Sequence, residues 1–535
     1  MSLAVRTDEF EVTNFSPPQD LESLRTSDVS HHFDVVIIGF GPTGATLANL
    51  LGLTGVRTLL LDRAKGSCAL PRAVHFDGEV MRVFQTIGVS DRIAECAIVN
   101  AGMRFVNKDT EALLLDWSRP QEIGEHGWYP SYRFHQPDLE RELHNNLIKF
   151  PSVEIRTGCE AQVIREEKEA VHVHYEELDS KNHVVVSGKF VVGCEGTHSL
   201  TRKLIGEALE TPIEDYGYNQ PWLVVDVILH REKPELSDYT IQYCHSESPV
   251  TSARGPGLRR RWEFALTEQG RDQPINEPFI WEQLSPWLDP EEAILERFAV
   301  YEFHSSIALN WRKDRLFLAG DAAHQTPPFL GQGMCAGIRD ASNLAWKLAL
   351  SLKGNTSPSM LDSYEQERID HVRSYITTAI DLGQLINRNN NTDLYEKLNA
   401  PDGKMKSIAP TLGKGLAIQE NAHVGSICPQ PTLTRVGDHP TFLDDHCGYA
   451  PNLLIDSKGA EELSDEQSAV LNRYESAGLC VVNSDSEPHV AALLKQLQLN
   501  ALLTRPDRYI LASSTNSSEL QTMLDQVPLV MPAYP

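Results

Sequence analysis

The chain has 535 residues, enough for about three domains, and 41% of them are apolar, which supplies a sizeable core. Its net charge of −26 excludes nucleic acid and anionic membrane surfaces as partners, since both repel an acidic protein. The nine cysteines are scattered without a C-x-x-C and no run approaches about 18 apolar residues, which points to a reducing compartment without structural zinc or a membrane span.

Residues 1–30 are polar, contain Pro17 and Pro18, and lack the basic-then-apolar form of a signal peptide. They are expected as a loosely held tail on a cytoplasmic protein. Phe33–Arg63 follows as strand, glycine turn, helix and strand. Val35–Ile38 is a short β-branched run suited to a buried parallel strand. Gly39, Gly41 and Gly44 then form G-x-G-x-x-G: the first permits the tight turn, the second clears room for a pyrophosphate, and the third lets helix lie close on strand. The helix Thr43–Leu53 aims its free N–H groups at the phosphates. Val56–Leu61 is the second strand, and Asp62 ends it where a carboxylate can accept from both hydroxyls of an adenosine ribose. Gly39, Gly41, Pro42, Thr43, Gly44, Asp62 and Arg63 are therefore candidate dinucleotide contacts.

The loop Arg63–Asp77 brings Arg72 back toward the nucleotide and carries His75. Gly78–Gly88 is expected as a helix, and Met103–Val106 with Ala112–Leu115 as a hairpin. In Tyr132–Leu147, Pro137 and Asp138 mark a helix start, with Gln136 just before it and Leu139, Leu143 and Leu147 on one face. Val153–Arg156, Val171–Tyr175 and Val184–Val192 are strands, the last running into GCEGTHSLTRKLIG with Glu195 between glycines. Residues 216–300 change character: Trp222–Leu229, Thr240–Cys244 and Arg261–Leu266 are strand-like with little helix between, an antiparallel sheet with one face on the core and one on a cavity.

After the strand Arg315–Leu318, Gly320 and Asp321 sit at its end, Pro327 and Pro328 stiffen the approach, and Gly331, Gly333 and Met334 open a helix running to about Leu352. Backbone N–H groups there can hold an electron-rich ring edge or an anion. Ser363–Ile386 is a further helix, and 388–417 a linker. Beyond it Asn452–Ile455, Leu479–Asn483 and Arg508–Ala512 are strands and Val490–Leu497 and Ser518–Val527 helices, a small thioredoxin-like sheet without C-x-x-C.

Three stretches together, G-x-G-x-x-G at 39–44, G-C-E-G-x-H-S-x-x-R at 193–202 and G-D-A-A-H-x-x-P-P-x-x-G-Q-G at 320–333, resemble the single-component FAD-dependent aromatic hydroxylases. The likeness runs from about Phe33 to Ser513. It implies an α/β fold: a discontinuous Rossmann-like FAD-binding domain (31–205 and 305–387), an inserted antiparallel substrate sheet (206–304, with 101–130 contributing), and a C-terminal thioredoxin-like domain (418–535). It implies non-covalent FAD, with NADPH or NADH as co-substrate. Gln136 then meets the flavin chain, Asp321 the ribityl hydroxyls, Gly331–Met334 the ring, and 193–202 serves FAD and nicotinamide. Glu195 stands where the family usually has Asp, and Cys335 where Asn is usual. Arg72, Gly320 and Pro328 complete the candidate cofactor set.

The implied reaction is hydroxylation of a small phenolic substrate with O2, through a flavin C4a-hydroperoxide attacked by the electron-rich ring. Tyr243, His245 and His75 are the candidate activating groups. Tyr216, Tyr218, Trp222 and Arg261 are candidate substrate contacts, and Arg254, Arg259 and Arg260 could share in clamping a carboxylate. Baeyer–Villiger or ring-cleaving oxygenation, flavin reduction without oxygen insertion, and a non-catalytic flavoprotein remain alternatives. A homodimer is compatible with all of them.

Overall fold

The computed structural model describes residues 31–66, 72–266, 274–354, 358–387, 397–398, 404–405, 408–417, 421–436, 439–461 and 463–531. The expected tail 1–30 lies outside them.

The first sheet is built around His31–Ile38, which pairs in parallel with Thr58–Asp62 on one side and His183–Gly193 on the other. Val153–Thr157 extends it in parallel beyond Thr58–Asp62, and Leu316–Leu318 beyond His183–Gly193. Val35, Val36 and Ile37 are fully buried, as expected for a strand covered on both faces. The helix Pro42–Leu53 packs against this sheet and against the long helix Gly333–Leu352. Small residues set how closely these helices approach: a Cβ on Gly320 or Gly337 would stand 2.6 or 2.3 Å from the Thr43 hydroxyl.

The inserted sheet has seven strands in the order Ala293–Phe303, Gln220–Leu229, Arg259–Ala265, Val250–Arg254, Thr240–Cys244, Gly102–Asn107 and Leu113–Ser118. The early hairpin joins it because Gly102–Asn107 pairs in parallel with Thr240–Cys244. Val250–Arg254 and Ala293–Phe303 carry no clean alternation and are new to the structure. One face of the sheet packs on the helix Glu277–Leu284, while the other looks toward the first domain.

The helix Pro358–Asn387 runs six residues or so longer than expected at its two ends together. In the expected linker, 388–396, 399–403 and 406–407 lie outside the described residues, but Leu398, Met405, Leu412 and Leu416 are buried. The last unit is a four-stranded sheet ordered Cys480–Asn483, Asn452–Ile455, Ala501–Thr504 and Ile510–Ser514, the first pair parallel and the others antiparallel. Cys447 and Cys480 form a disulfide, which departs from the reducing compartment that the scattered cysteines point to. Among the described residues no helix is long and apolar enough to cross a membrane, and no acidic or thiol cluster is arranged for a metal.

Candidate active site

The three glycines of the first turn do different work. Gly39 has φ +109° and donates its N–H to Leu61 O at 2.8 Å; a Cβ there would lie 2.2 Å from the Cys194 carbonyl oxygen. A Cβ on Gly44 would lie 2.0 Å from Gly39 O, so both glycines serve close packing. Gly41 has nothing within 4 Å of its missing Cβ and opens, with Pro42 and Thr43, onto the main cavity. Asp62 is spent locally: its two oxygens accept from Phe40 N and Ala64 N, each at 2.6 Å. It holds the glycine turn from behind and, like exposed Arg63, does not line the cavity.

Farther along the cavity, Arg72 and Asp321 face each other as an ion pair at 3.3 Å. Gln136 accepts from the N–H groups of Arg72 and Ala73 at 2.8 and 2.9 Å and donates to Glu140, which pins the return of the early loop. Arg202 donates to Asp321 O and Ala322 O, tying the 193–202 motif to the 320–322 turn. Glu195 turns away from the cavity. Its carboxylate accepts from Ser199 Oγ, Thr201 N and Thr201 Oγ1 and so holds the start of the helix Leu200–Leu209, while Cys194, Gly196 and Thr197 line the cavity. Asp340, fully buried, accepts from Gly320 N, His324 and Arg368, which fixes the turn that presents Asp321. Pro328, Gly331, Gly333 and Met334 line the middle of the cavity. Gly331 takes φ +64°, and a Cβ would stand 3.0 Å from His75 Nδ1. Cys335 is buried behind this loop with its thiol toward His75 O and Gly331 O.

The far wall is formed by the inserted sheet and His75. The ring of His75 has both nitrogens engaged: Nδ1 donates to Gly331 O at 3.2 Å and Nε2 accepts from Ser131 Oγ at 2.8 Å, which itself accepts from Asn100. Burial, and then the nearby Arg133 charge, lower its pKa to about 4. His75 is thus a neutral support for the 331 loop as well as a lining residue. Between pH 6.5 and 4 the unfolded chain binds the proton and the folded one does not, so stability falls as pH drops through that window, by up to about 3 kcal/mol. Urea unfolding at pH 7 and 4.5 should show this loss in the wild type and a clearly smaller one in His75→Gln; equal losses would refute it.

The other candidates on the sheet do not line the cavity, and for Tyr243 the reason is strand parity. On Thr240–Cys244 the residues facing the cavity are Thr240 and Gln242, so Tyr243 points to the opposite side, where its hydroxyl accepts from Trp287 Nε1 at 3.2 Å. His245 lies past the strand end with Nδ1 accepting from Glu247 N and Ser248 N. Tyr216 accepts from Arg373. Trp222 and Tyr218 form a second layer, 5.7 and 5.6 Å from the ring of Phe329, which does line the cavity. Arg261 is held bidentately by Asp226, directly opposite on the neighbouring strand, at 2.7 and 2.9 Å, and donates to Arg72 O. It does not line the cavity. Arg254, Arg259 and Arg260 pair with Asp238, Glu296 and Glu232 outside the cavity. Residues that did not stand out in the sequence take their places, Asn100, Arg119, Gln242, Thr251 and Glu263, together with Arg133 from just before the helix that follows Gln136. Arg133 donates to Thr240 Oγ1 and, at 3.3 Å, to Asn100. Arg119 lies 4.1 Å over the Trp117 ring, makes no ion pair among the described residues, and has its pKa lowered to about 10 by burial, against the opposing pull of the Asp77 charge.

A family model described as FAD binding domain matches residues 32–379. The chain is 40% identical over 356 residues to a probable NADH-specific resorcinol 4-hydroxylase of Rhodococcus jostii, covering 66% of this chain and 65% of that protein. It is 34% identical over 512 residues to a 3-(3-hydroxy-phenyl)propionate/3-hydroxycinnamic acid hydroxylase of Comamonas testosteroni, covering 83% and 84%. In the first of these the match spans slightly less than two thirds of the relative's length. The flavin-dependent monooxygenase PieE, solved with FAD and substrate, superposes with TM-score 0.78 at 18% identity over 94% of this chain and 99% of that one. OxyS anhydrotetracycline hydroxylase from Streptomyces rimosus gives 0.74 at 22% identity, covering 94% and all of that chain. These two likenesses concern the fold.

Proposed function

The chain belongs to the FAD-binding-domain family matched over residues 32–379, and from that premise we propose that it is an FAD-dependent, NAD(P)H-consuming monooxygenase that hydroxylates a phenolic ring with O2. One observation carries the reading: a single cavity runs from Gly41 past Asp321 to Gly331–Met334 and on to Glu263 and Arg119 of the inserted sheet. FAD fits the residues present. The open side of Gly41, at the start of a helix, would take the pyrophosphate; Arg72 and Asp321 offer a cation and an acceptor to the chain; the backbone at Gly331–Met334 would meet the ring. When bound, FAD would take reducing equivalents from NAD(P)H and, with O2, supply the oxygen atom. The protein's own work is to orient the phenol, exclude water and move its hydroxyl proton.

The relatives act on a neutral diphenol and on phenolic acids by name. Arg119, a cation in the cavity wall without an ion pair among the described residues, suits a substrate with an acidic side chain. We also read the last unit as thioredoxin-like from its strand order, and the location as cytoplasmic. To test the function, the FAD-loaded protein would be given isotopically labelled O2, NADH or NADPH, and either resorcinol or 3-(3-hydroxyphenyl)propionate. The expected result is stimulated NAD(P)H consumption with one labelled oxygen atom in the product. Consumption that yields only hydrogen peroxide with every phenol would defeat the proposal.

Asp321→Ala should weaken FAD binding more than Asp62→Ala. Asp321 faces the cavity, whereas Asp62 spends both oxygens on the turn behind it. Losing a charge-assisted hydrogen bond costs about 1.5–3 kcal/mol. Titration of both apoproteins with FAD checks this, and equal or reversed affinities would contradict it.

A further inference from the structure

We propose that Glu263 is a catalytic residue that accepts the proton of the substrate hydroxyl; this rests on the monooxygenase reading above. Glu263 stands in a straight cross-strand row with Thr251 and Gln242, all three opening on the cavity. Its side chain is only 14% exposed, yet it accepts no hydrogen bond from any described residue. Its ion pair to Arg261 Nη1 is 3.7 Å long, beyond hydrogen-bond distance. A buried carboxylate without a donor is costly, and the fold normally supplies one. One strand away it does: Asp226 is bound bidentately by Arg261 and paired with Arg297.

The rest of the row is also incompletely spent. Gln242 uses Oε1 to accept from Thr251 Oγ1 at 2.8 Å, and its buried Nε2 has no partner among the described residues. A hydroxyl can give to a carboxylate and accept from an amide at once, so a phenolic oxygen is the complement this wall lacks. The other candidates fail on geometry: Tyr243 and His245 lie outside the cavity, and both nitrogens of His75 are engaged. The charges facing Glu263 are Arg261, Arg133 and Arg297, which favour its ionised form, and Asp226, which opposes it; burial outweighs them and raises its pKa above the usual carboxylate range. A carboxylate so raised is a better proton acceptor at neutral pH than an ordinary surface glutamate.

In the step assigned to it, the substrate O–H bond breaks and its proton passes to Glu263, which becomes the carboxylic acid. The electron pair left on oxygen feeds the ring and makes the adjacent or opposite carbon nucleophilic. That carbon receives one oxygen atom of O2 as a hydroxyl group; the O–O bond breaks, the other atom leaves as water, and NAD(P)H supplies the two electrons. The ring then loses its C–H proton to water, and Glu263 returns its own proton to the phenolic oxygen.

The test compares wild type, Glu263→Gln and Glu263→Asp as FAD-loaded full-length proteins with a phenol that the wild type hydroxylates. Glu263→Gln should bind FAD normally and hold KM within a few-fold, while kcat for product falls at least about 100-fold. NAD(P)H consumption should then leak to peroxide. The wild-type fall in kcat at acidic pH should vanish in Glu263→Gln, whose residual rate should instead rise at alkaline pH as the hydroxyl ionises unaided. Glu263→Asp, the safeguard should Glu263→Gln fail to fold, should keep the acidic limb with a lower rate. Product formation by Glu263→Gln within twofold of wild type, or an acidic limb unchanged in it, would overturn the role and leave the monooxygenase reading standing. An aspartate variant that lacks the limb would overturn it too. Wild type that forms no labelled product with any phenol would remove both.

Discussion

Gly39→Ala should abolish FAD binding, whereas Gly41→Ala should leave the apoprotein intact and lower FAD affinity alone. The new Cβ at residue 39 would sit 2.2 Å from Cys194 O, in a backbone conformation with φ +109° that side chains rarely adopt. Neither partner can retreat, because Ile38 and Gly193 are paired neighbours in the parallel sheet and Cys194 N donates to Ile38 O at 2.7 Å. At residue 41 the backbone is extended, with φ −70° and ψ −177°, and a Cβ meets nothing within 4 Å. Its only victim would be a group arriving from the cavity. Thermal unfolding of the apoproteins and titration with FAD separate the two effects. A Gly39→Ala protein with wild-type affinity would show that the turn yields, and a Gly41→Ala protein with wild-type affinity would show that the pyrophosphate does not pass there.

Glu367→Ala should cost about 3–5 kcal/mol of stability, by stranding buried cations. Glu367 is 1% exposed and joins four segments: it accepts from Asn343 and Lys347 of the helix Gly333–Leu352, from Leu416 N, and from Arg505 of the last unit at 2.8 Å. The neighbouring charges hold its pKa at about 2, even though burial opposes this. The stabilisation it brings is therefore present above the ordinary glutamate range and is lost as pH falls from there toward 2, because the unfolded chain takes up the proton first. Lys347 is pushed down to about 8 mainly by burial, so it is poorly placed to stay charged without its partner. The double variant Glu367→Leu with Lys347→Met should recover much of the loss, since removing both members avoids the orphan charge, while Arg505 keeps Asp507. Urea unfolding of single and double variants measures this; strictly additive losses would contradict it.

Elements fixed by local geometry lie where the residue pattern puts them. The Gly39, Gly41 and Gly44 spacing, the strand before it and Asp62 after it fall where expected, because each is required by contacts a few residues away. Asp62 also accepts from Phe40 N and Ala64 N and so closes the turn, outside the lining of the cavity. The helix after Gln136 and the Gly331–Met334 loop are equally local. In Leu443–Cys447 and the strand Cys480–Asn483, by contrast, no spacing announced that two distant cysteines meet.

By itself, the sequence determined the dinucleotide unit, the inserted sheet and the two cavity-facing loops, since backbone conformation, strand period and helix starts are properties of neighbouring residues. Only the tertiary structure decided which face of the inserted sheet looks at the cavity. That choice makes Gln242 a lining residue and sends Tyr243 to Trp287. Both faces of that sheet are covered, so alternation carries no mark of inside and outside. It also decided that Arg261 is neutralised by Asp226 while Glu263, two residues on and on the same face, is left without a donor among the described residues. Whether a charge is bound or available depends on partners brought from other strands, and a linear pattern of residue types holds no record of that pairing.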